Sequence, residues 1–377
     1  MPRFDLVVIG AGPGGYPAAI RAAQLGWRVA VVEKEDRLGG TCLRIGCIPS
    51  KALLESSELY ESTRERLAEH GVRVGSVEVD LDAMHRRKSE TVAGLARGVE
   101  GLLRKNRVER VRGHGSIAEP GRVMVRDGDK ETPLETDRIL IATGSKPGTI
   151  RGIEIDGELA GTSTEALAWP TVPERLVVIG AGAIGLELGS VWRRLGSKVV
   201  VLEFLDRILA GMDAEIATQA LGLLRAQGLD IRLSKRVTAV RKLPNGKGGE
   251  VETDDGEVFG ADRVLVAVGR VPNTEGLGLE KIGVELEPRG QIRVDDAFET
   301  SVPGIFAIGD VIRGPMLAHK AEEEGIACVE RMITGYGHVS YDAIPNVVYT
   351  QPEVASVGKT EEDLEGAGIP YRKGTFP

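Results

Sequence analysis

One pattern occurs twice in this sequence, and the repetition restricts the fold more than any other feature. Residues 4–33 read FDLVVIGAGPGGYPAAIRAAQLGWRVAVVE, and residues 176–203 read LVVIGAGAIGLELGSVWRRLGSKVVVLE. Each is an apolar strand-like run, a turn with three glycines, a helical stretch, a second apolar run and a terminal acid. The acid follows the first glycine by the same interval in both copies, Gly10 to Glu33 and Gly180 to Glu203. In such a unit Gly10 allows the tight turn, Gly12 lets backbone approach a pyrophosphate, and Gly15 brings helix close to strand; Gly180, Gly182 and Gly185 repeat them. The helix N-terminus offers N–H groups and the positive end of its dipole to phosphates. Glu33 and Glu203 are placed to accept hydrogen bonds from ribose hydroxyls.

Two complete units imply two dinucleotides, which for an oxidoreductase means bound FAD and a diffusible nicotinamide. The carboxylate of Glu203 repels a 2′-phosphate. Beyond Phe204 and Leu205 the first basic residue is Arg207, so the second site is expected to take NAD, not NADP. RILIATGSKP (138–147) and RVLVAVGRVPN (263–273) each read as an apolar strand ending in a glycine turn and a proline. They look like the closing strands of the two nucleotide domains. The expected class is therefore α/β, with two Rossmann-like domains, the second inserted in the first: 1–147 and 271–340 for FAD, 148–270 for NAD. Residues 50–70 and 81–106 read as helices, the latter with a basic solvated face, while Asn245, Gly246, Gly248 and Gly249 mark a hairpin loop.

Composition agrees with this reading. A chain of 377 residues is too long for one ordinary domain. A net charge of −8 argues against nucleic acid or an anionic membrane as partner, and no segment reaches the length of a membrane span. The strand-like run starting at Phe4 leaves no room for a signal peptide. Only three cysteines occur, two of them within one short segment, which is the usage of an intracellular redox or metal protein. A cytoplasmic location is expected.

Those two cysteines lie in GGTCLRIGCIPSKAL (39–53). A zinc site needs four ligands and no second pair is near, so no metal is expected; the C-x-x-C of thioredoxin-like chemistry is absent too. Cys42 and Cys47 can form a disulfide only across a distorted turn, which Gly46 permits, and spacing alone weighs that equally against two unpaired thiols in a helix. The position just after a flavin-type unit, with GG before and PSK after, favours a pair that opens and closes during turnover. Cys328, on an apolar helix face in AEEEGIACVERMI, reads as a buried structural thiol.

GGTCLRIGCIPSK resembles the active-site segment of the pyridine nucleotide-disulfide oxidoreductases. GIFAIGDV (304–311), MLAHKAEEEGI (316–326) and IPNVVYTQPEVASVGKTE (344–361) place the resemblance nearest the dihydrolipoamide dehydrogenases of that family, over essentially the whole chain. The resemblance implies a Cys42–Cys47 redox disulfide, with Cys42 exchanging with the dithiol and Cys47 next to the flavin as a thiolate. It implies that Lys51 lies near flavin N5 and pairs with Glu187. It further implies FAD contacts at Gly40, Thr41, Gly115, Asp310 and Ala318, and NAD contacts at Val237 and Gly269. A thiolate at neutral pH needs a nearby positive charge or a helix N-terminus, and Lys51 and its helix supply both. The implied reaction is oxidation of protein-bound dihydrolipoyl groups with NAD+ as acceptor. The implied partners are the lipoyl domain of a 2-oxo acid dehydrogenase or glycine cleavage complex and a second subunit.

Residues 341–377 resemble only the beginning of the family's α+β C-terminal dimerisation domain. The family's His-Pro segment, whose histidine deprotonates the dithiol from the partner subunit, is not in the chain: none of His70, His85, His114, His319 and His338 precedes a proline. The expectation is a shortened dihydrolipoamide dehydrogenase that keeps the electron-transfer half of the site and turns over poorly. Other readings are another NAD-linked flavin disulfide reductase of the family and a non-catalytic FAD-binding subunit. Glu203 argues against NADP-linked reductases, the lack of further cysteine pairs against mercuric reductase, and the paired cysteines against NADH oxidases.

Overall fold

The computed structural model describes residues 3–244 and 246–376, so Asn245 of the expected hairpin loop lies outside the described residues. The chain forms two compact units. One comprises Met1–Pro49, Lys88–Lys146 and Arg270–Tyr341. Its sheet runs in the order Glu109–Arg112, Val29–Glu33, Phe4–Ile9, Lys130–Ile141, Arg122–Asp127, His114–Glu119, with Ile305–Ala307 also paired to Lys130–Ile141. Val7 sits in register with Ala30 on one side and Ile139 on the other, both parallel. Leu6, Val7 and Val8 are fully buried, as a parallel strand covered on both faces requires. The strand Lys130–Ile141 changes partner along its length. Lys130–Glu135, polar and alternating, pairs antiparallel with Arg122–Asp127, while Thr136–Ile141 pairs parallel with the first strand.

Helix Ala318–Thr334 packs onto helix Gly15–Gln24 in this unit through glycine: a Cβ on Gly325 would come within 2.5 Å of the Gly14 carbonyl. Beneath that contact lies an ion pair with no exposure at either side chain, Lys320 Nζ to Glu324 Oε1 at 3.0 Å. Both groups have further partners. Lys320 donates to the Gly309 carbonyl (3.2 Å), and Glu324 accepts from the Gly309 N–H (2.8 Å) and the Tyr341 hydroxyl (2.9 Å). Burial raises the Glu324 carboxyl pKa, and Lys320 opposes the rise.

The other unit comprises Ser50–Arg87, Pro147–Gly269 and Asp342–Pro377. A parallel sheet runs in the order Asp230–Arg232, Lys198–Leu202, Arg175–Ile179, Arg263–Val266, Ala160–Gly161. A second, antiparallel sheet joins Val237–Lys242, Gly249–Thr253 and Val258–Ala261, with the expected hairpin between its first two strands. The core holds Leu176, Val178, Leu186, Leu188 and Trp192, and Leu53, Leu54, Val348 and Val354 join it. Residues 50–87 thus belong here, whereas sequence alone placed them with the first nucleotide domain. The reason is the apolar and ionic anchoring of helix Cys47–Glu61. Beyond Leu53 and Leu54, its last turn presents Glu58 and Glu61 to Arg194, a guanidinium only 3% exposed, at 3.0 and 3.4 Å. Past that helix the chain continues as single turns, Ser62–Arg66 and Leu67–His70. The second expected helix, Leu81–Lys105, passes from this unit into the first at Lys88. It buries one stripe (Val92, Ala96, Val99, Leu103) and leaves Arg86, Arg97, Arg104 and Lys105 exposed, while Lys88 is half-buried and burial lowers its pKa.

Removing one partner of a buried ion pair strands a charge, whereas removing both does not. Lys320→Met is therefore expected to lower the unfolding free energy by about 3–5 kcal/mol, and Lys320→Met/Glu324→Leu to recover most of it, as measured by denaturant titration.

Candidate active site

The two glycine turns are built on the same contacts. Gly10 and Gly180 both have φ +105°, and a Cβ on either would strike a carbonyl of the neighbouring closing strand, Ala142 or Ala267. A Cβ on Gly15 or Gly185 would strike the carbonyl of Gly10 or Gly180. Substitution of either pair therefore pushes helix off strand. At Gly182, in contrast, a Cβ would meet nothing within 4 Å, so that face of the turn is open. The terminal acids also match. Glu33, 8% exposed, accepts from the N–H groups of Ala11 (3.0 Å) and Glu35 (3.1 Å), and Glu203 accepts from those of Ala181 (2.6 Å) and Leu205 (2.9 Å). Each acid braces its own turn with the carboxylate that sequence assigned to the ribose.

The cysteine segment begins on the first turn. Gly39 donates its N–H to the Ala11 carbonyl (2.9 Å), and a Cβ on Gly40 would approach the Gly12 Cα to 2.5 Å. A side chain at Gly40 would therefore separate the segment from the turn, while Gly39 is held at φ +103° with its Cβ position taken by the Leu43 side chain. Helix Gly40–Ile45 follows, then Gly46 alone, then helix Cys47–Glu61. A Cβ on Gly46 would lie 2.9 Å from the Thr41 carbonyl. Across this break Cys42 and Cys47 are disulfide-bonded, with Cα atoms 4.7 Å apart. The third cysteine, Cys328, is fully buried, and burial holds its thiol pKa well above the usual range.

Lys51 follows Cys47 by one turn of the same helix. Its ammonium donates to both Glu187 oxygens, at 2.9 and 2.8 Å, and Glu187 is nearly buried. Glu187 Oε1 also accepts the N–H of Tyr349 (3.0 Å), and the ring of Tyr349 lies over Lys51 Nζ, 4.3 Å from the centroid. Sequence reasoning paired Lys51 with Glu187 and missed Tyr349, which carries no signal beyond its place in IPNVVYTQPEV.

Asp310 lies in the turn Gly309–Val311, whose Gly309 backbone is held by Lys320 and Glu324. Its carboxylate accepts from the Ser145 hydroxyl (2.5 Å), which accepts in turn from Arg270 Nε (2.7 Å). Ser145 and Arg270 lie in the two matched segments, each at the start of a short strand (Ser145–Pro147, Arg270–Pro272) that pairs with the other, so their positions were legible although their partnership was not. Gly115 is buried, where a Cβ would crowd Ile9 and Val32 at 3.1 Å. Ala318 opens helix Ala318–Thr334, whose first-turn N–H groups lack intrahelical partners by helix geometry. In the second unit Val237 is buried at the start of its strand, and Gly269 (φ +104°) has open space around its Cβ position. Beside Glu203 a cation does occur. Arg236, from beyond the following strand, lies over the exposed ring of Phe204 at 4.5 Å; scanning forward along the sequence found only Arg207, which is engaged with the Ala210 carbonyl. Among the described residues no group of three or more His, Cys, Asp or Glu could hold a metal ion, and no helix is long and apolar enough to cross a membrane.

Comparison with known proteins identifies the family. The family model "Pyridine nucleotide-disulphide oxidoreductase" matches residues 4–325, and its "dimerisation domain" matches residues 344–377. The chain is 52% identical over 385 residues to the mitochondrial dihydrolipoyl dehydrogenase of Dictyostelium discoideum, covering 99% of this chain and 78% of that protein. It is 50% identical over 382 residues to dihydrolipoyl dehydrogenase 3 of Pseudomonas putida, covering 100% and 82%. Among solved structures, the Cu(II) complex of the HOCl-induced flavoprotein disulfide reductase RclA from Escherichia coli superposes with a TM-score of 0.86 at 27% identity, over 98% of this chain and 80% of that one.

The cysteine geometry gives a direct check by thiol titration in denaturant. One thiol is expected to react before reduction and three after it, the early one being Cys328, which is inert in the folded chain.

Proposed function

The chain belongs to the pyridine nucleotide-disulphide oxidoreductases, and we propose that within this family it oxidises protein-bound dihydrolipoyl groups to lipoyl groups, reducing NAD+ to NADH. The observation that carries the reading is the Cys42–Cys47 disulfide heading a helix whose next turn bears the Lys51–Glu187 pair. Residues 1–147 and 271–340 are assigned to FAD, although 50–87 of these pack in the second compact unit, 148–270 are assigned to NAD, and 341–377 to the beginning of the dimerisation domain. The fit to FAD rests on the close approach of Gly40 to Gly12, on Glu33 and on the braced Asp310 turn; the fit to NAD rests on the open face at Gly182 and on Glu203.

A substrate thiolate attacks Cys42 Sγ, the Cys42–Cys47 bond breaks, and Cys47 leaves as a thiolate. The second substrate thiol, deprotonated, displaces Cys42, so the substrate departs as a disulfide and the cysteines hold two electrons. Lys51 stabilises the anionic sulfur, and Glu187 fixes the ammonium in place. Bound FAD supplies the passage of that electron pair from the thiols to NAD+. Net, one dithiol and one NAD+ give one disulfide, NADH and a proton. The dimerisation-domain match supports a homodimer in the full-length form, the enzyme class supports a lipoyl domain as partner, and cysteine usage supports a cytoplasmic setting.

With FAD bound, the chain is expected to reduce NAD+ with dihydrolipoamide, and Cys42→Ser and Cys47→Ser each to abolish turnover while FAD stays bound. Absence of turnover together with an unreactive disulfide would overturn the reading. At the second site, removing the carboxylate with Glu203→Gln is expected to shrink the preference for NAD+ over NADP+ by about tenfold in kcat/KM.

A further inference from the structure

Tyr349 lies in the motif IPNVVYTQPEVASVGKTE, to which sequence assigned no role at the site, yet two of its groups touch the Lys51–Glu187 pair. The strand Asn346–Val348 pairs antiparallel with Val354–Ser356, with Val348 opposite Val354. Both valines are buried in the core that also holds Leu53 and Leu54 of the Lys51 helix and Leu186 and Leu188 of the Glu187 helix. Tyr349 leaves this core at a fixed place. Its N–H bonds to Glu187 Oε1 (3.0 Å), and its ring lies 4.3 Å from Lys51 Nζ. The ammonium therefore has a carboxylate on one flank and a π-face on another, although the lysine side chain is still one-third exposed.

The two flanks differ in their effect. Glu187 holds the ammonium but cancels much of its field. The ring attracts the cation through its quadrupole and adds no negative charge. We propose that Tyr349 is a positioning residue of the redox site: its ring holds the Lys51 ammonium in one place with its positive charge undiminished. The inference rests on the functional reading above, in which that charge stabilises the anionic sulfur. Because the Glu187 contact uses the backbone of Tyr349, side-chain replacement leaves that hydrogen bond in place.

The test uses the full chain loaded with FAD and reduced anaerobically by two electrons from dithionite, with the long-wavelength absorbance band as readout of thiolate beside flavin. Tyr349→Leu is expected to lower the ratio of anionic to neutral sulfur by about two- to fivefold, the weight of an exposed cation–π contact. The kcat should fall by a similar factor with the KM for NAD+ unchanged, and Tyr349→Phe should restore both. Tyr349 is 40% exposed, so the melting temperature of the leucine variant should match that of the parent. A leucine variant with the parental band and kcat overturns the inference, as does a phenylalanine variant as impaired as the leucine one. A parent chain that binds FAD but shows no band on reduction overturns the functional reading, and with it this inference.

Discussion

The structure depends on places where backbone must approach backbone more closely than any side chain allows. Gly15 against the Gly10 carbonyl, Gly185 against the Gly180 carbonyl, Gly40 against Gly12 and Gly325 against the Gly14 carbonyl are four instances. The first two press helix onto strand in each nucleotide unit. The third docks the cysteine segment on the first turn, and the fourth docks the helix that carries Lys320 and Glu324. A methyl group at any of these would have to displace main chain rather than a flexible side chain, so the contacts leave little room for adjustment. They also make each turn self-contained, since Gly10 closes on Ala142 and Gly180 on Ala267, both within their own unit.

Onto this glycine framework the chain fastens its polar groups with shared rather than paired contacts. Glu187 serves Lys51 and Tyr349, Glu324 serves Lys320, Gly309 and Tyr341, and Ser145 stands between Arg270 and Asp310. A buried charge costs far more alone than in company. Such sharing makes the loss of one member felt by several neighbours, and it draws elements distant in sequence to one point.

What could be read from sequence follows the same division. The duplicated turns, Glu33 and Glu203, the strand segments at 138–147 and 263–273 and the cysteine segment were all legible, because close backbone approach demands glycine at fixed spacing and parallel strands demand apolar runs. The membership of residues 50–87 was not. Leu53, Leu54, Glu58 and Glu61 lie on an ordinary helix whose partner is chosen by a core assembled from far along the chain. Arg236 escaped for a like reason: it reaches Phe204 from 32 positions away, so no local spacing announces it. Tyr349, Ser145 and Arg270 were visible as letters within matched segments, but their contacts depend on strand register, which one sequence does not display.

The way Tyr349 meets the Lys51–Glu187 pair separates scaffold from adjustment. The main-chain N–H on Glu187 holds whatever residue occupies the position, provided the amide remains, whereas the ring on Lys51 depends on the side chain alone. A lineage carrying this fold can therefore change the electrostatic setting of its redox centre by a single codon, without loosening the strand pair beneath it. The segment that the family model assigns to subunit association thus doubles as a tuning element for electron transfer.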